Sequence, residues 1–193
     1  MKLHYMGKFD LNPESLPHGE HKANAVAFRE AEDSRKLGII ANIASVILML
    51  VLAVPAFFRC RGQAVDLIGW VLACFTPMAI LFPHELLHGL CFREDVYLYT
   101  NWKQGMLFVV GPEDMSKGRF VFMSLLPNLV FGVIPYLVGL LFPHLTFLVV
   151  MGVLCTGMGA GDYYNVFNAL TQMPRGARTY LYGFHSYWYL PEQ

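Results

Sequence analysis

Four long apolar runs separate the polar segments of this chain. Residues 37–58 form the first, 22 residues without a charge. The second spans residues 67–92 and is interrupted near its end by a short cluster of ionisable residues. The third, residues 120–142, holds 23 uncharged residues, and the fourth runs from 145 to about 170 with one charge, at Asp162. A helix rises about 1.5 Å per residue, so crossing a bilayer takes about 20 mostly apolar residues. The pattern predicts an all-α membrane protein, a bundle of about four transmembrane helices, with the second run the least regular. Between runs two and three, residues 96–99 and 106–110 flank Asn101-Trp-Lys-Gln-Gly105, which reads as a small β-hairpin. Pro143-His144 marks a tight turn between the last two helices.

Composition agrees with this division. The chain has 193 residues, 55% hydrophobic and 15% charged, where soluble domains carry about 25% charged residues. Net charge is zero, and no basic stripe offers itself to nucleic acid. Cys60, Cys74, Cys91 and Cys155 form no CxxC pair and read as small packing residues. The segments before run one, between runs two and three, and after run four hold 12 Lys and Arg residues; the other side has only Arg59 and Arg61. Basic loops stay inside, so both termini are expected in the cytoplasm. Residues 1–36 are then a cytoplasmic N-terminal segment, 37–172 the transmembrane domain and 173–193 a cytoplasmic tail. About 36 mostly polar residues precede run one, so it is expected to be a retained span, not a cleaved signal. Tyr180, Tyr182, Phe184, Tyr187, Trp188 and Tyr189 in the tail suit an interfacial anchor.

The ionisable cluster in run two is His84-Glu85-Leu86-Leu87-His88. Residues four apart share a helix face, so both imidazoles can grip one metal ion with Glu85 beside it as general base. Ionisable groups within a span are costly and point to function. Pro83 either kinks this helix or begins a separate short one.

Zinc at a catalytic site takes three protein ligands and leaves a position for water. Asp162 is the first candidate for the third. Runs two and four travel in the same direction; His88 lies five residues before Arg93, and Asp162 ten before Gln172. Those separations correspond to depths of about 8 and about 15 Å. Gly157, Gly159 and Gly161 would allow close helix approach. Glu94 is the second candidate, followed by Glu113 and Asp114; Cys91 shares the histidine face as a neighbour. Asn128 and Asn165 are amides in apolar surroundings, suited to orienting a substrate carbonyl or stabilising its oxyanion, or to bonding between helices. The other five histidines read as non-ligands.

His84-Glu-Leu-Leu-His88-Gly, Ser124-Leu-Leu-Pro127-Asn128, and Gly161-Asp162 with Asn165 together resemble the site-2-protease class of intramembrane zinc metalloproteases. They resemble more closely a bacterial membrane-protein family of unknown function grouped with the zincin peptidases, as do Gly7-Lys-Phe and Pro13-Glu-Ser-Leu-Pro17. The resemblance implies His84, His88 and Asp162 as zinc ligands and Glu85 as the base. It departs from the site-2 pattern in placing the late aspartate in Gly-Asp-Tyr-Tyr-Asn. The expected activity is zinc-dependent hydrolysis of membrane-protein or peptide substrates near the cytoplasmic face of a bacterial plasma membrane. A membrane zinc hydrolase of other substrates and a non-catalytic metal-binding membrane protein are the alternatives. A glutamate within the histidine pair favours hydrolysis, because transport needs ligands but no general base.

Overall fold

The computed structural model describes residues 2–30, 34–64, 66–183 and 185–192; the tail residue Phe184 lies outside the described residues. The fold is mostly helical, with two small sheets. Helix α1 covers Ser34–Cys60 and α2 covers Leu67–Leu90. The third apolar run is α3 (Lys117–Asn128), a π-helical turn (Leu129–Val133) and α4 (Ile134–Leu141). Pro135 has no N–H for the carbonyl four residues earlier, and the widened turn before it absorbs that defect; Ile134 N–H bonds Leu129 O instead. The fourth run is two helices, α5 (Thr146–Met158) and α6 (Ala160–Gln172), bent by 52° where Gly159 separates them. Among the described residues there are thus three helices long and apolar enough to cross a membrane, or four if the bent pair is one span.

The chain falls into two compact units. One comprises Ala31–His84 and Leu125–Tyr164. Its core sets Ala56 of α1 against Tyr136 of α4 and Val149 of α5. The Tyr136 hydroxyl donates to Leu52 O at 2.8 Å, and Ser45 Oγ to Gly157 O at 2.6 Å. Glycine lets α4 and α5 touch backbone to backbone: a Cβ on Gly152 would lie 2.5 Å from Tyr136 N. On α1, Ile43, Ile47, Leu50 and Phe57 are all more than half exposed, an apolar surface suited to lipid.

The other unit comprises Met1–Glu30, Glu85–Ser124 and Asn165–Gln193. Its first sheet has β1 (Leu3–Lys8) parallel to β3 (Val96–Asn101), which pairs antiparallel with β4 (Met106–Val110). The expected hairpin is therefore present, closed through Gly105 at φ 64°, where a Cβ would be strained. The second sheet orders β2 (Val26–Ala27), β7 (His185–Tyr189), β6 (Arg178–Tyr182) and β5 (Met115–Ser116). The aromatic tail forms its central hairpin, with Tyr180 buried. Phe9, Leu16, Tyr99 and Val110 form one core; Phe28, Ala169, Met173 and Ala177 form another. An all-α description therefore understates the fold, because the segments between and after the helices pair as strands.

Candidate metal centre

Helix α2 continues through both Pro77 and Pro83, so Pro83 does not begin a separate helix. The i, i+4 spacing then aligns His84 and His88 on its last turns. One ligand atom each from His84, Glu85 and His88 lies within 4.8 Å of the others, and no other group of three or more such residues occurs among the described residues. His88 is buried, while His84 and Glu85 are partly buried. A metal ion here would be shielded from bulk solvent, which strengthens its hold on the donors.

The surroundings orient each side chain. His88 Nδ1 lies 2.9 Å from Met123 O. A carbonyl can only accept, so Nδ1 carries the proton and Nε2 keeps its lone pair. The Glu85 carboxylate accepts from the main-chain N–H of Val109, with Oε2 at 3.1 Å. Val109 lies on β4, the terminal strand of its sheet, and donates away from β3.

Asp162 stands in the first turn of α6. Its Oδ2 is 3.2 Å from His84 Nε2 and accepts from Asn128 Nδ2 at 2.7 Å. Asn128 is buried, and its amide nitrogen serves this carboxylate. A Cβ on Gly159 would lie 1.7 Å from Asn128 Oδ1, so glycine there lets the amide occupy its position. Asn165 lines a cavity with Val109 and Met123.

The other carboxylates considered from the sequence have different surroundings. Glu94 is exposed, and its main-chain N–H donates to Glu113 Oε2 at 3.2 Å. Glu113 is paired with Arg119, which also donates to Cys91 O at 2.9 Å. Asp114 pairs with Arg178 at 2.9 Å and accepts from the Tyr189 hydroxyl. The Arg178 guanidinium holds the Asp114 carboxyl below the usual carboxylate range, against partial burial. Cys91, just past the end of α2, donates its Sγ–H to Leu87 O.

The partners missed in the sequence reading are backbone groups, Met123 O and Val109 N–H. Their own side chains do not signal them, and only the fold brings them to the helix.

A family model described as "putative zincin peptidase" matches residues 77–178, more than half of the chain, and the chain belongs to that family. No curated protein and no solved structure matches it.

Proposed function

We propose that this member of the zincin peptidase family is a zinc-dependent peptidase that cleaves membrane proteins within or beside the membrane, near its cytoplasmic face. The observation that carries the reading is the His84, Glu85, His88 cluster on the last turns of an apolar helix long enough to span. The family supports peptidase chemistry. The excess of Lys and Arg before α1, between α2 and α3 and after α6 supports the cytoplasmic side, as does the resemblance to site-2 proteases.

His84, His88 and Asp162 are the proposed zinc ligands. The 3.2 Å separation of His84 Nε2 and Asp162 Oδ2 is long for a charge-assisted hydrogen bond. It matches the edge of a zinc tetrahedron, ~3.3 Å for ligand bonds of about 2.0 Å. Two histidines and one carboxylate leave one position for water. When bound, zinc supplies a water with a pKa of about 7 and a Lewis acid for the scissile carbonyl.

Glu85 takes the proton of the attacking water and returns it to the leaving amine. Its bond from Val109 N–H orients the carboxylate until substrate arrives. A helical substrate must unwind first, because its scissile carbonyl is hydrogen-bonded within the helix. The outer edge of β4 offers the unwound segment a strand to pair with. Asn128 holds Asp162 by its amide nitrogen, and Asn165 is left to meet the substrate.

The test measures metal and hydrolysis together. Wild type should carry about one zinc per chain by mass spectrometry, in keeping with a single three-ligand site. His88→Ala and Asp162→Ala should lose it. Glu85→Gln should keep the zinc and lower turnover by about 10²–10⁴. Zinc lost only in His88→Ala would move the third ligand elsewhere, to Glu94 first. Absence of metal from wild type after zinc is resupplied would overturn the proposal.

A further inference from the structure

A cavity of about 160 Å³ lies within the unit that holds Glu85 and His88. Two of its lining residues are the ones bonded to those side chains: Val109, whose N–H reaches Glu85, and Met123, whose carbonyl reaches His88. The cavity therefore shares two wall residues with the surroundings of Glu85 and His88. Phe92, Val110, Phe120 and Leu181 supply much of the remaining wall. Polar residues also line it, but several are bonded elsewhere. Glu113 pairs with Arg119, Thr179 Oγ1 donates to Tyr187 O, and the Tyr180 hydroxyl bonds His21 and Lys22 N–H. Asn165 differs: its side-chain amide has no hydrogen-bond partner among the described residues.

We infer that this cavity is a specificity pocket, receiving one leucine- or phenylalanine-sized apolar side chain next to the scissile bond, while the Asn165 amide bonds the adjoining peptide backbone. The inference rests on the peptidase reading. An apolar cavity of ~150 Å³ holds a benzene ring and stays dry when empty. This partly open cavity has a similar volume, which suits a benzyl or isobutyl group better than an indole. A charged side chain would have to enter without a counter-charge, since Glu113 is already neutralised by Arg119. Pairing on the β4 edge supplies main-chain bonds whatever the sequence, and a pocket beside the strand is what selects among side chains.

The experiment is cleavage of a peptide library, randomised across consecutive positions, by the full zinc-loaded chain in detergent, with products read by mass spectrometry. Glu85→Gln serves as the blank. Wild-type products should show Leu or Phe enriched at least about tenfold over Asp and Trp at one position flanking the cleaved bond, consistent with one apolar pocket contact. Leu181→Trp fills the cavity and should move that preference to Ala and Gly by a similar factor. If that variant does not fold, Phe120→Ala tests the same wall and should admit Trp. Asn165→Ala should raise KM for every peptide without reordering them. Cleavage that Glu85→Gln abolishes, but that shows no preference or keeps it unchanged in the cavity variants, overturns the pocket and leaves the peptidase standing. Absence of products from zinc-loaded wild type overturns both.

Discussion

Pro127 has no N–H to offer the carbonyl oxygen of Met123, which stands four residues before it in α3. In an uninterrupted helix that oxygen would accept the i+4 bond. Here His88 Nδ1 donates to it instead, at 2.9 Å. The proline thereby releases an acceptor at the place where a histidine proposed to bind metal needs its outer nitrogen protonated. Such outer partners fix the tautomer and orientation of histidine ligands.

Replacing Pro127 by alanine should therefore weaken zinc binding while improving the helix. The new N–H at position 127 would compete for Met123 O, and His88 would lose its fixed tautomer. The expected loss of zinc affinity is about 10–100-fold, the usual range for removing an outer partner. Alanine is favoured over proline inside a helix by about 3 kcal/mol, so the metal-free protein should melt no lower. A chelator-competition titration beside a melt of the apo protein reads both. Equal zinc affinity in the two proteins would show that Met123 O does not set the histidine.

Asn128 and Gly159 should act on Asp162 as one device. Asn128 Nδ2 holds the aspartate at 2.7 Å, and a Cβ on Gly159 would meet the Asn128 side-chain oxygen at 1.7 Å. Asn128→Ala removes the bond; Gly159→Ala pushes the amide out of place. Each should lower zinc affinity by about tenfold or more. The double variant should be no worse than the worse single one, because residues sharing one contact are not additive. Losses that multiply would separate the two residues.

How much of this was visible in the chain depends on the kind of signal. Apolar runs reveal membrane-length helices because burial in lipid demands continuous hydrophobicity, and α1 to α4 follow them closely. His84, Glu85 and His88 were legible because their spacing matches the helix repeat. The contact of Asp162 with His84 was approachable from depth along two parallel runs. The break at Gly159 was not, since apolar composition continues across it. Nor were the strands: β1 reads Leu-His-Tyr-Met-Gly-Lys without clean alternation, and β7 reads as a surface-seeking aromatic string. Their pairing is set by partners about 90 residues apart for β1, such as Val96 opposite Leu3. Val109 N–H carries no side-chain signature, and for Met123 O the only trace is Pro127 four residues on, which frees the carbonyl without naming its partner.

Acid should destabilise the unit that contains the sheets through Asp114. Its carboxyl is held below the usual carboxylate range by the Arg178 guanidinium and by the Tyr189 hydroxyl. A carboxylate with a depressed pKa in the fold stabilises it above the unfolded value, about 3.9. That contribution disappears as pH falls through the folded value, so the loss lies below about pH 4. Melting curves from pH 7 to pH 3 should show wild type losing stability faster than Asp114→Asn over that last interval. Parallel curves for the two proteins would remove Asp114 from the acid response.

The open edge of β4 can be tested apart from its paired edge. Val109 N–H points at Glu85, away from β3. Successive residues of a strand alternate, so Leu107 N–H points the same way and Phe108 N–H points toward its β3 partner, Tyr99. Proline at Phe108 would break the ladder within the sheet and report on folding rather than on substrate. Proline at Leu107 removes an outward donor and leaves the β3–β4 bonds in place, which is the position a strand edge tolerates. If an unwound substrate adds to this edge, Leu107→Pro should cut kcat/KM about tenfold, on the order of one charge-free hydrogen bond lost in the bound peptide. Zinc content and circular dichroism should stay at wild-type levels. A fully active Leu107→Pro protein would mean that the peptide reaches Glu85 without pairing with β4, and that the hairpin serves only to orient the carboxylate through Val109.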